Sequence, residues 1–103
     1  MIDYHTRRLL DLIPHGRDNA ISSYELADAF GVGISELRRI INDLILDGAL
    51  IVHSLRGYYI PTKEDHSEAW EYIQSFTDEN IIRILWDSYE RIFGENKKGG
   101  LSC

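Results

Sequence analysis

Between residues 20 and 62 the hydrophobic period of the chain changes twice. Tyr24, Leu26, Ala27 and Phe30 fall close to helical spacing, and Gly31 follows where helices commonly end in a left-handed residue. Ser22 and Glu25 precede that run in capping-box spacing, so the hydroxyl can accept a free backbone N–H while the carboxylate reaches back. A second helical run starts after Val32 and Gly33, with Leu37, Ile40, Ile41 and Leu44 on one face and Gly48 as its stop. At about 100° per residue the opposite face centres on Ser35, Arg39, Asn42 and Leu46, with Arg38 and Asp43 at its edges. Residues 49–54 and 58–60 are then β-branched, aromatic and apolar, and predict two strands. Leu55-Arg56-Gly57 lies between them, Gly57 being able to take the positive φ of a tight hairpin, and Pro61 closes the second strand.

The flanks read as helices. Residues 6–13 predict an amphipathic first helix whose core face is Leu9, Leu10, Leu12 and Ile13, ended by Pro14 and Gly16. Residues 63–93 hold no Pro or Gly and predict one long helix, or two separated near Thr77-Asp78-Glu79-Asn80, where Thr77 can cap a new start. Trp70, Ile73 and Phe76 lie on one side of the first half. Ile81, Ile82, Leu85, Trp86, Tyr89, Ile92 and Phe93 form a broad apolar stripe in the second. An uncovered patch on the order of several hundred Å2 is unusual on a soluble monomer. The stripe either folds back onto the first helix or joins a second copy in a symmetric dimer. The homodimer is the expectation, with Trp70, Ile73, Ile82, Leu85, Trp86, Tyr89 and Phe93 as its dimerisation residues.

Two short helices broken by a glycine-containing turn and followed by a hairpin make a winged helix-turn-helix, in which the second helix can enter a major groove. The expected fold is thus mainly α with a small β-hairpin. It divides into a winged helix-turn-helix domain over 1–62, a helical extension over 63–94 and a disordered tail over 95–103, where Asn-Lys-Lys-Gly-Gly runs. The residues FGVGISELRRIINDLILDGALIVHSLRGYYIPT resemble the small winged-helix proteins encoded by phages and prophages of Gram-positive bacteria. More generally they are similar to the winged-helix domains of bacterial transcription regulators. The resemblance covers roughly residues 20–62, and glycine followed by Tyr58-Tyr59-Ile60 is its most specific part. Members of that family usually carry a polar capping residue where Gly33 stands and basic residues where Ile45 and Leu46 stand. The resemblance implies a DNA-binding regulator or accessory protein.

The side chains agree with that use. Ser35, Arg38, Arg39 and Asn42 are of the types that read base edges or hold phosphates. Ser23 and Tyr24 can bond a phosphate at the start of the preceding helix, and Arg56 near the hairpin tip can enter a minor groove or hold the backbone. Alternatively Arg38 and Arg39 are a solvated face, with Arg39 pairing Asp43 at i,i+4. Charge limits the affinity. The chain carries 11 Lys/Arg against 17 Asp/Glu, a net of −6. Residues 1–62 hold six basic against eight acidic side chains, and 63–103 hold five against nine. Phosphate binding scales with the basic contacts made, so a monomer should bind duplex weakly and with strong salt dependence, and a dimer would double the contacts. Leu46 lies on the same face as Arg39 and gains nothing from phosphate. It either packs on the hairpin or the C-terminal helices, or meets a protein partner in a replication or transcription assembly.

Nothing suggests an enzyme. His5, His15, His53 and His66 share no metal-ligand spacing, so neither metal nor cofactor is expected, and His53 reads as a packing or surface residue. Gly31-Val32-Gly33 lacks the Lys-Ser/Thr of a phosphate loop. Cys103 is a poor nucleophile candidate without fixed neighbours, and Glu64, Asp65, Glu68 and Glu71 read as an acidic helix start. A single cysteine and charges within the apolar spacing of MIDYHTRRLLDLIPHG suit a cytoplasmic chain without a signal peptide. No stretch approaches the roughly 18–20 apolar residues of a membrane span. A small-molecule sensor with a cavity between the hairpin and the aromatic helices is a third class, though no residue pattern marks a pocket.

Overall fold

A computed structural model describes residues 3–101, with side chains through residue 94. The chain is mainly helical with one small antiparallel hairpin. Asp3 opens α1 (Tyr4–Arg7), its carboxylate accepting the Thr6 N–H at 2.7 Å, and the chain then tightens into a 3-10 turn at Arg8–Leu12. Leu9 and Ile13 reach the core, but Leu12 is 40% exposed, so the expected core face loses one member. The cause lies at Pro14. The residue before a proline is held extended, and Ile13 (φ −90°, ψ 119°) turns inward from that conformation and not from helical spacing.

The Ser22 hydroxyl accepts the Glu25 N–H at 3.1 Å and starts α2 (Ser23–Phe30), which ends in left-handed Gly31 at φ +80°. After a three-residue turn, α3 (Ile34–Leu46) begins at Gly33 without a side-chain cap. Its inner face takes in Ile45 along with Leu37, Ile40, Ile41 and Leu44, so Ile45 belongs to the core. Strand β1 (Val52–Ser54) pairs with β2 (Gly57–Tyr59) in the register Val52↔Tyr59, His53↔Tyr58 and Ser54↔Gly57. Leu50 and Ile51 precede the ladder and are both buried, which is a crossing of the core and not one face of a sheet. Ile21 adds a partner on the other side of β2, exchanging backbone hydrogen bonds with Tyr58 at 2.8 and 3.0 Å. Gly57 makes this approach possible. Its φ is +130°, and a Cβ there would stand 2.0 Å from the Ile21 carbonyl oxygen.

A 3-10 turn at Lys63–Asp65, boxed between Thr62 and Asp65, leads into α4 (His66–Gln74). The helix break expected near residue 77 is present, and Asp78 caps the new start in place of Thr77. The Asp78 carboxylate accepts the Asn80 and Ile81 N–H groups at 2.9 and 3.3 Å. From there α5 (Glu79–Leu101) runs through most of the segment expected to be a disordered tail, while Ser102 and Cys103 lie outside the described residues. α5 packs chiefly against α4 and α3. Ser88 and Arg91 both donate to the Gly48 carbonyl, at 2.8 and 2.9 Å, tying α5 to the end of α3. Leu9, Leu26, Leu37, Leu44, Ile51, Tyr59, Ile73 and Leu85 are fully buried in one continuous core. Two of the expected dimerisation residues, Ile73 and Leu85, are therefore enclosed by their own chain and offer no surface to a second copy. Among the described residues no helix is long and apolar enough to cross a membrane.

Candidate functional site

With its apolar face committed to the core, α3 turns Ser35, Arg38, Arg39, Asn42 and Leu46 outward, and all of them are exposed. The arc is the one expected from the helical period. Arg39 does not stand free on it. Its guanidinium lies 2.5 Å from Glu36 and 3.2 Å from Asp43, bracketed one turn before and one turn after. The hydrogen bond to Arg39 holds the Glu36 carboxyl below its usual range and raises Arg39 in turn. The expected pairing with Asp43 is thus present, joined by Glu36. Arg38 behaves differently. Among the described residues it forms no ion pair, and its charge bears on His53 and Tyr58 of the hairpin.

His53 on β1 lies against Tyr58 on β2, ring centres 4.2 Å apart and planes only 15° from parallel. Tyr58 is buried, and its backbone is paired with Ile21 just before α2. Burial, and then the positive charge of Arg38, push the His53 imidazole below its ordinary value. The chain matches no known family model, no curated protein and no solved structure. Function has to be read from the chain's own surface.

The other expected contacts are placed less favourably. Tyr24 projects from α2 and is 78% exposed. Arg56 sits on the hairpin turn, where the Ser54 hydroxyl accepts its N–H at 3.2 Å, and its guanidinium lies 3.7 Å from Asp18. Asp18 also faces Arg17 at 4.0 Å, so the hairpin tip leans toward the turn before α2. Leu55 beside Arg56 is fully exposed, and Leu46 is 40% exposed.

On the far side, Trp70, Trp86, Tyr89 and Phe93 line a cleft of about 420 Å3 with Lys63 and His66 at its edge. Trp70 meets Trp86 edge to face at 6.2 Å, and Trp86 meets Tyr89 likewise at 5.3 Å. These aromatic residues, with half-buried Ile82, are the part of the dimerisation set that stays accessible. Among the described residues no group of His, Cys, Asp and Glu is arranged to hold a metal ion. Sequence reasoning read His53 as a packing or surface residue and did not foresee its stack on Tyr58, which arises only when the two strands pair in this register. The one signal available was the outward place of His53 in strand alternation.

Proposed function

We propose that this protein is a small DNA-binding regulatory or accessory protein of winged helix-turn-helix type, with α3 as recognition helix and the hairpin as wing. The observation that carries this reading is the exposed arc of Ser35, Arg38, Arg39 and Asn42 opposite a fully buried face of the same helix. Arg38 is the ready phosphate or guanine contact, and Asn42 and Ser35 have the donors and acceptors to read base edges. Ser23 and Tyr24 at the start of α2 serve the backbone. Arg39 and Arg56 must exchange carboxylate partners for phosphate, which reduces the gain from each. Few net basic contacts then remain per subunit, and a dimer formed through the Trp70, Trp86, Tyr89 and Phe93 cleft doubles them.

The test is titration of mixed-sequence duplex by fluorescence anisotropy at low and physiological salt, with oligomeric state measured in parallel. Binding should fall steeply with salt and fall further in Arg38→Ala. A dimer that fails to bind even at low salt would overturn the reading. A second reading, a winged-helix adaptor for a replication or transcription protein, is favoured by the exposure of Leu46 and Leu55 on the same domain. Leu46→Lys separates the two: it strengthens DNA binding under the first and abolishes partner capture under the second, with the fold retained in both.

A further inference from the structure

We infer that the free edge of β1 is a docking site for an extended, basic segment of a partner protein, which joins the hairpin as an added strand in the groove between β1 and α4. The inference goes beyond the DNA reading and does not depend on it, since no residue of α3 takes part.

The backbone decides which edge is open. Tyr58 exchanges both of its main-chain hydrogen bonds with Ile21, at 2.8 and 3.0 Å, so its N–H and C=O point away from β1. His53 and Tyr58 therefore face each other as a non-hydrogen-bonded pair. Side chains stand closest in pairs of that kind, and these two rings stack at 4.2 Å. The N–H and C=O of His53 then point outward too, from the free side of β1. The far side of β2 is closed. Beyond Ile21, the Ile60 N–H donates to Pro14 and its carbonyl accepts the Gly16 N–H, at 2.8 and 2.9 Å. Among the described residues β1 is thus the open edge of the sheet. Natural edge strands are commonly guarded by a charged side chain or a proline. Residues 49–55 contain neither.

The space beside that edge has room for one more strand. A groove of about 510 Å3 runs between His53 and Leu55 on the hairpin and Glu68, Glu71, Tyr72 and Ser75 on α4. A segment laid there exchanges main-chain hydrogen bonds with His53, and its side chains alternate between the two faces of the sheet. One set lies over His53 and Leu55. The other turns to the face of Val52 and Tyr59, which is the α4 side, since the Tyr59 hydroxyl donates to Glu68. Charge selects the occupant. Glu68 is engaged by Tyr59 and lies 3.9 Å from Arg17. Glu71 is exposed and forms no ion pair among the described residues, which leaves its carboxylate for a partner. A lysine or arginine on the α4 side reaches Glu71 while its methylenes cover Tyr72. An apolar residue of the other set takes fully exposed Leu55 out of water. An acidic segment is repelled by the same wall.

The probe is a fluorescein-labelled peptide, Val-Lys-Val-Arg-Val-Lys, titrated into the full chain by anisotropy, with hydrogen exchange of the His53 N–H followed by NMR. The peptide should bind and slow that exchange. Its counterpart with Glu in place of Lys and Arg should not bind. N-methylation of one alternate set of residues, and not the other, should abolish binding: the valines for an antiparallel strand, the Lys and Arg for a parallel one. Glu71→Lys should weaken binding about tenfold, its fold checked by circular dichroism. Leu46→Lys, which tests an adaptor surface on α3, should leave it unchanged. Equal binding by both N-methylated peptides would reduce the effect to charge attraction and overturn strand addition. No binding, with exchange at His53 unaltered, would overturn the site. Protection of that N–H on raising the protein concentration alone would give the edge to a second copy and overturn the basic partner. The duplex titration tests the DNA reading separately under each of these results.

Discussion

At the scale of single residues, two adjacent arginines on α3 have opposite situations. Arg38 is exposed and forms no ion pair among the described residues, whereas Arg39 is bracketed by Glu36 and Asp43. Exposed pairs of this kind contribute little to stability, so their main consequence is competition for a guanidinium that DNA would also use. Glu36→Gln should therefore tighten duplex binding and steepen its salt dependence by about one counterion, read from the slope of log affinity against log salt. His53 sets a second expectation. Its folded-state value lies below the ordinary 6.5, so the unfolded chain binds the proton more readily. That contribution to stability is whole above the ordinary value and is lost as pH falls toward the folded one. Urea melts of His53→Gln should show a shallower loss over this acid window than the wild type. Gly57 is the strictest of the described glycines. Gly57→Ala forces a Cβ into the Ile21 carbonyl at a φ of +130°, and should cost about 3 kcal/mol in urea unfolding.

Among the elements, the caps decide where helices begin and how they are joined. The break between α4 and α5 is legible in Thr77-Asp78-Glu79-Asn80, but the choice of cap depends on which side chain turns back over the first N–H groups. Asp78 does so. Asp78→Ala should lower stability by about 1 kcal/mol, while Thr77→Ala should stay within about 0.5 kcal/mol, both from denaturant midpoints. The hairpin turn was readable in the same way, since Gly57 is the residue able to supply its backbone conformation. The tether from Ser88 and Arg91 to Gly48 was not readable, because it joins positions 40 and 43 residues apart through one backbone carbonyl.

For the molecule as a whole, the helical extension is part of the body and not an appendage. Ile73 and Leu85 are buried in the same core as Leu37 and Tyr59, while Trp70, at 44% exposed, stays open beside Trp86 and Tyr89. The surface left for a second copy is therefore smaller and more aromatic than the apolar stripe suggested. If the dimer forms through that cleft, Trp70→Lys should yield a folded monomer in analytical ultracentrifugation. It should also weaken DNA binding, because each complex loses half of its basic contacts.

The local pattern of residues determined the two helices α2 and α3, the turn between them, the hairpin and the outward face of α3. Each of these follows from spacing along a few neighbouring residues, which periodicity and capping chemistry report directly. Tertiary structure alone decided which apolar residues of the extension are enclosed, which arginines are paired across space, and that His53 stacks on Tyr58. Those outcomes depend on how distant segments land against one another. A one-dimensional pattern records which face is apolar, not what comes to cover it.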